Sequence, residues 1–315
     1  MQLLAVNFHY VGISEQPFPG VHSLSSDAFK SKIEALADRY EMIGLPDVLR
    51  VIKEGRNFPS RSCLITFDDG LRCQMEVAMP ILDQLKVPAA FFVLGGPLGN
   101  GTPASVHKLQ WVRTTLGDKL ISRLIEDMAN EFDGLRGPAD VEKDKPNRAY
   151  RYDAPEAAKL KWYLNYYLQE NVRESMISRL FSYAGFSDNE FVEDVYMPST
   201  HIKELAERNW LGSHGMSHRP LSGLPVAEMR AEISESKRLL EHIGKRPISA
   251  FSYPGGGVMQ VNVGVIEAVA QAGYICGLTM KRAVNSTLSD PHFLARVDAN
   301  DIEDLHSLMS GAGPQ

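Results

Sequence analysis

Short apolar runs alternate with amphipathic stretches along most of the chain, the rhythm of βα units on a largely parallel sheet. The first apolar run is Leu3–Phe8, and residues 27–40 follow with Phe29, Ile33, Leu36 and Ala37 on one helical face and Ser26 or Asp27 as the cap. An apolar strand over 63–67 runs straight into Asp68-Asp69-Gly70, then a helix near 74–85 and a strand over 89–94. The rhythm returns with helices predicted over 202–208, 225–243 and 261–272, and strands over 210–213, 248–253, 274–278 and 293–297. A closing helix is expected from about Ile302.

Alternation stops between these halves. After the glycine-rich stretch 95–100, residues 101–198 read as helical, with 160–181 the clearest helix and 136–155 an exposed, charged loop. The expected organisation is one domain over 1–315 with a helical insertion or cap at 101–198.

Composition narrows the class without deciding it. The 315 residues are 44% hydrophobic and 23% charged with a formal charge of −6, so an ordinary globular core is available and no basic footprint for nucleic acid or an anionic membrane exists. Three cysteines, none in a CxxC, argue against a disulfide framework and fit buried thiols in a reducing compartment. No apolar run approaches the ~18 residues of a membrane span, and the N-terminal run reads as a strand rather than a leader. The expected location is cytoplasmic.

Three segments carry chemistry. Thr66-Phe67-Asp68-Asp69-Gly70 puts two carboxylates at the mouth of a buried strand, where barrels collect functional groups. Adjacent carboxylates there are costly unless a cation or proton offsets them, although a helix cap beside a solvated Asp would also fit. In Gly212-Ser213-His214-Gly215-Met216-Ser217-His218, two histidines four apart would face one way on a helical turn and converge on an ion. Alone, that spacing equally fits two packing histidines. Joined with Asp69 at a second strand end, the pair supplies a His2Asp set with room for water and substrate. The glycines of Phe251-Ser252-Tyr253-Pro254-Gly255-Gly256-Gly257 allow close backbone approach, as an anion-binding turn or simply a turn.

Together these residues resemble the polysaccharide deacetylase family, carbohydrate esterase family 4. The likeness runs from Asn7-Phe8-His9-Tyr10 through TFDDG, Pro80-Ile81-Leu82 and Pro88 to Val93, then SHGMSH, SYPGG and Leu294-Ala295-Arg296-Val297-Asp298, leaving the insert unmatched. It implies a distorted (β/α)7 barrel and a divalent metal, zinc first among the candidates. It also implies Asp68 as general base, Asp69, His214 and His218 as metal ligands, and the Gly255 N–H as oxyanion donor. Where polysaccharide-active members often carry an arginine in the third motif this chain has Ser252, so Arg296 is the substitute partner for Asp68. The family's late Leu-x-His has no clean counterpart. Leu305-His306 lacks the intervening residue, and His9 is the better-placed imidazole.

The expected reaction is removal of an N-acyl group, acetyl before formyl, from an amino sugar. A small carbohydrate or sugar precursor is the expected substrate, with no nucleic-acid partner and a homo-oligomer allowed. Trp162, Tyr163, Tyr166 and Tyr167 could stack on sugar rings or pack the insert, and Lys108 and Trp111 are equally ambiguous. Two other readings stand: an amidohydrolase acting on a non-sugar amide, and a catalytically silent carbohydrate-binding protein. Intact Asp68, Asp69, His214 and His218 weigh against the second.

Overall fold

The computed structural model describes residues 2–12, 21, 23–56, 58, 61–129, 131, 135, 137–138, 144–149, 154–257, 260–286 and 290–304. Two compact units emerge from its contacts. One comprises Met1–Glu15, Ser23–Thr102 and Val192–Gln315, and the other is built on Pro103–Phe191.

The first unit holds an all-parallel sheet. Its strands are β1 (Leu3–Phe8), β2 (Glu41–Met42), β3 (Ser62–Phe67), β4 (Ala89–Val93), β5 (Leu211–Ser213), β6 (Ala250–Ser252), β7 (Cys276–Leu278) and β8 (Val297–Asp298). They lie in the order β7-β6-β5-β4-β3-β1-β8, and β2 joins the start of β3. The short β2 shares an edge of β3 with β4: Met42 pairs with Cys63, and Ala89 with Ile65. Between the edge strands, Leu294 pairs with Leu278 and its N–H donates to the Gly277 carbonyl at 2.9 Å. The sheet is therefore curled into a distorted barrel with surrounding helices.

Both faces of the strands are buried, which is why they read as near-continuous apolar runs. Outward side chains such as Val6, Phe8, Ile65, Phe67 and Phe91 pack with Phe29 and Ile33 of the Ser26–Ala37 helix in one cluster. Phe67 stacks on Phe91 at 4.7 Å, and Phe29 meets Phe8 edge-on at 5.1 Å. Inward side chains, among them Ala5, Leu64, Ala90, Phe92, Ala250, Cys276 and Leu278, form a second cluster with Leu45, Val48 and Val51 of the Leu45–Glu54 helix. Phe92 occupies this interior because its neighbour on β5 is Gly212: a Cβ there would fall on the Phe92 ring. All three cysteines are free and buried.

Several local expectations change. Ser25, not Ser26 or Asp27, caps the first helix, its hydroxyl accepting from the Ala28 N–H at 3.2 Å. The predicted helix over 74–85 opens with a π-helical turn, Gln74–Ala78, before Met79–Leu85. Segment 293–297 is mostly irregular, with a 3-10 turn over Pro291–Phe293, a single bridge at Leu294 and a two-residue strand, Val297–Asp298. A 3-10 turn, Ala299–Asp304, opens the closing segment, the rest of which lies outside the described residues.

The second unit is helical in its described residues, over Ser105–Leu116, Asp118–Ala129, Asp144–Ala149, Pro155–Trp162 and Glu170–Tyr183. The single helix expected over 160–181 is broken. A π-helical turn, Tyr163–Tyr167, precedes an extended Leu168 (ψ 143°), where aromatic residues and Asn165 give weak helix propensity. Asp144–Ala149 is helical where a loop was expected, because Pro146 falls in the first turn and removes no internal hydrogen bond. Lys108 is a packing residue: it is buried, pairs with Asp188 at 2.7 Å and lies over the Phe181 ring. Trp111 packs edge-on against Phe191. Tyr163 is buried, whereas Tyr166 and Tyr167 are exposed, with Tyr166 stacked on Trp162. Among the described residues no helix is long and apolar enough to cross a membrane.

The Gly212–Phe92 contact is testable. Gly212→Ala should cost roughly 1–3 kcal/mol through overpacking, read as a lower urea midpoint at unchanged slope. Adding Phe92→Leu should recover part of the loss; no loss in the single variant would refute the close approach.

Candidate active site

Asn7 and Thr66 are buried polar positions near the ends of two largely apolar strands, and they are registered partners across β1 and β3. Both point to the interior cluster's upper end, where Asp68 follows β3. The Asp68 carboxylate is met by the guanidinium of Arg296, with Nη1 to Oδ1 at 2.9 Å and Nη2 to Oδ2 at 2.8 Å, and by Asn7 Nδ2 to Oδ2 at 3.1 Å. Arg296 has no exposed surface. Its remaining N–H groups donate to the Thr279 carbonyl at 3.0 Å, Asn7 Oδ1 at 2.9 Å and Ser252 Oγ at 2.8 Å. All five guanidinium donors are thereby used, and the cation sits 5.8 Å from the centre of the Phe92 ring. Burial pushes the Asp68 pKa up, but the charge and hydrogen bonds of Arg296, helped by His214 and His9, outweigh it and hold the pKa at about 2. Asp68 is therefore an anion at neutral pH.

The next residue starts a different constellation. Asp69 adopts a left-handed backbone (φ 79°) that non-glycine residues rarely take. The buried Gln74 amide braces this turn, donating to the carbonyls of Asp68 at 2.6 Å and His9 at 3.0 Å and accepting from the Leu71 N–H at 3.2 Å. Across the sheet mouth, His214 directly continues β5, with its N–H on the Val93 carbonyl at 2.9 Å. The ligand-type atoms of Asp69, His214 and His218 all lie within 4.8 Å of one another. Both imidazole Nε2 atoms are 3.5 Å from Asp69 Oδ1.

His214 and His218 do not sit on a helical turn. Their segment is a loop in which Gly215 (φ 79°) and His218 (φ 65°) both take left-handed backbone, which interrupts any helix and brings the rings to 5.0 Å by another route.

The donor set fits a small divalent cation. The Nδ1 of His214 lies 2.8 Å from the Ser252 carbonyl, which can only accept, so Nδ1 carries the proton. With Nδ1 so engaged, His214 turns Nε2 toward the Asp69 carboxylate in a buried site, and a cation between them would be held by both. A first-row ion bound at ~2.0–2.1 Å places tetrahedral ligand atoms roughly 3.3–3.4 Å apart, close to the spacing found.

The chain's sequence matches the family model described as polysaccharide deacetylase over residues 55–126 and 173–277, more than half of its length. The chain belongs to the polysaccharide deacetylase family. Its relatives include the poly-beta-1,6-N-acetyl-D-glucosamine N-deacetylase of Staphylococcus aureus, 35% identical over 94 residues, which are 30% of this chain and 32% of that protein. The match thus spans about a third of that relative. Two solved structures resemble this deacetylase-family fold along nearly the whole chain. IcaB from Ammonifex degensii has a TM-score of 0.58 at 15% identity, over 99% of this chain and 96% of that one. The Streptococcus pyogenes deacetylase PplD in complex with acetate has a TM-score of 0.54 at 14% identity, over 98% of both chains.

Within this family member the structure brings Asp68, Asp69, His214, His218 and Arg296 to one mouth of the sheet. His9, half-buried, immediately follows β1, and its carbonyl accepts from Gln74. Gly255 lies in an exposed turn with left-handed backbone (φ 69°), three residues beyond the Ser252 carbonyl that fixes His214, and no hydrogen bond among the described residues ties it to the other site residues. Leu305 and His306 lie outside the described residues. Sequence reasoning gave no role to Asn7, Tyr10 or Thr66, which it met only as motif residues, nor to Gln74 and Thr279. Burial, and then the Asp69 charge, push the Tyr10 phenol well up. The available signal for Asn7 and Thr66 was a polar residue near the inner end of an apolar strand.

Removing one partner of the Arg296–Asp68 pair should leave a buried unpaired charge. Arg296→Met is expected to cost roughly 3–5 kcal/mol in urea unfolding. Combined with Asp68→Asn the two losses should be clearly less than additive; full additivity would mean the pair is not coupled.

Proposed function

We propose that the chain is a metal-dependent hydrolase that removes the N-acetyl group of an amino sugar within a saccharide. The observation that carries this reading is an ionised, buried Asp68 with acceptor capacity to spare, set beside the three converging donors of Asp69, His214 and His218. Family membership and the N-acetylglucosamine polymer named for the staphylococcal relative support the sugar amide as substrate. The fold likeness to a deacetylase in complex with acetate agrees with it.

Asp69, His214 and His218 would hold the cation, with zinc the first candidate for two imidazoles and a carboxylate. When bound, it supplies Lewis-acid polarisation of the acyl carbonyl and acidifies water. The protein's own groups handle the protons. Arg296 and Asn7 take three of the roughly four acceptor positions of the Asp68 carboxylate, leaving one on Oδ1 for the proton of the attacking water. Arg296 fixes the direction of that oxygen and keeps it ionised. The Gly255 N–H is the proposed donor to the developing oxyanion. His9 is the proposed source of the proton for the departing amine.

Acetate release from N-acetylglucosamine and its β-1,6 oligomers tests the reading. Asp68→Asn should lower kcat by at least about a hundredfold, within the range of general-base catalysis, while metal content stays near that of the wild type. Full activity in that variant would remove Asp68 from the base role. Stripping the metal with a chelator should abolish release, and added Zn2+ should restore it; activity that survives stripping would exclude the metal-assisted route.

A further inference from the structure

The loop joining His214 to His218 is fixed by a residue from another element. Glu232 lies on the Val226–Gly244 helix and is 9% exposed. Its Oε2 accepts from the N–H groups of Met216 and Ser217, both at 2.9 Å, and its Oε1 from Ser217 Oγ at 2.6 Å. On the loop's carbonyl side, Gly95 N–H donates to the Gly215 carbonyl and Gly96 N–H to the Met216 carbonyl, both at 2.8 Å. The approach is close: a Cβ on Gly96 would lie 2.6 Å from the Met216 carbonyl oxygen. Two consecutive peptide units between the histidines are thus held at both their N–H and C=O ends.

The loop needs such restraint, because it ends in His218 at φ 65°, a left-handed conformation that surrounding contacts must hold in place. A buried carboxylate is a costly way merely to fill space between a helix and a loop. Among the described residues the Glu232 carboxylate hydrogen-bonds to this loop, and no Lys or Arg forms an ion pair with it.

We propose that Glu232 is a positioning residue that sets the direction of His218 relative to His214 and Asp69, and through that the affinity of the site for its cation. The proposal rests on the metal-site reading above. It acts through backbone geometry, so two acceptor positions on one oxygen matter more than the negative charge. A glutamine keeps that oxygen, and its amide can donate to Ser217 Oγ.

Co2+ titration of metal-stripped protein, followed by visible absorption and by chelator competition, separates the cases. Wild type should bind one equivalent. Glu232→Ala should bind ~10–100-fold more weakly, the range for outer-shell partners of metal ligands, with an altered spectrum and a metal-free Tm lowered less than its metal-loaded Tm. Glu232→Gln should recover wild-type affinity to within a few-fold. Wild-type affinity and spectrum in Glu232→Ala, or a Gln variant as weak as Ala, would overturn the positioning role. If Glu232→Ala does not fold, Ser217→Ala, which deletes one of the three contacts, should show a smaller loss in the same direction, and unchanged affinity there would overturn it too. A wild-type protein that binds no Co2+ would instead remove the metal site itself, a distinguishable failure.

Discussion

The buried pairing of Arg296 with Asp68 is the constraint around which the site is arranged. A guanidinium with no access to water must find acceptors for five N–H groups. It finds them on Asn7 at the end of β1, Asp68 beyond β3, Ser252 at the end of β6 and Thr279 just after β7, while Arg296 itself enters ahead of β8. One planar cation therefore sets the relative position of most of the strand ends, and the Phe92 ring that Gly212 admits makes its floor. Such pairs contribute little net stability. What this one contributes is a carboxylate with a single direction and a single charge state. The small Ser252 side chain leaves room for an arginine arriving from the far end of the sheet.

The neighbouring cluster obeys a different economy. Asp69 and His218 both sit in left-handed backbone. Each lies in a turn braced by one buried polar side chain: Gln74 for the aspartate turn, from a π-helical segment, and Glu232 for the histidine loop. Regular secondary structure ends just short of both turns, so backbone groups that a helix or strand would satisfy internally are satisfied by these side chains instead. π-helical turns often mark functional positions, and here the turn lets Gln74 reach two strand-end carbonyls.

Much of this was legible from the residues. Long apolar runs bounded by polar turns predicted the strands, and the coincidence of two weak motifs at strand ends predicted that Asp69, His214 and His218 would meet. What the sequence hid was geometry made by side chains distant along the chain. The histidine spacing suggested a helical turn, but Gly215 takes a left-handed backbone and a loop does the same task. Asn7, Thr66 and Thr279 are solitary polar residues in separate segments, and no local pattern links them to Arg296. The insert misled for a simpler reason: residues 160–181 carry helical periodicity throughout, while the break at Leu168 reflects packing and weak propensity.

The sheet order has a consequence for how the molecule assembles. β8 lies beside β1, so Arg296 meets Asp68 across 228 residues of sequence separation. Until the late segment docks, a nascent or refolding chain holds the aspartate turn without its cation, and contacts of such long range are slow to form. The barrel's apolar layers can collapse first, but the mouth of the sheet cannot settle before Arg296 arrives. A chain that lacks the Arg296 segment would carry both aspartates, and even both histidines, with Asp68 deprived of the cation that orients it.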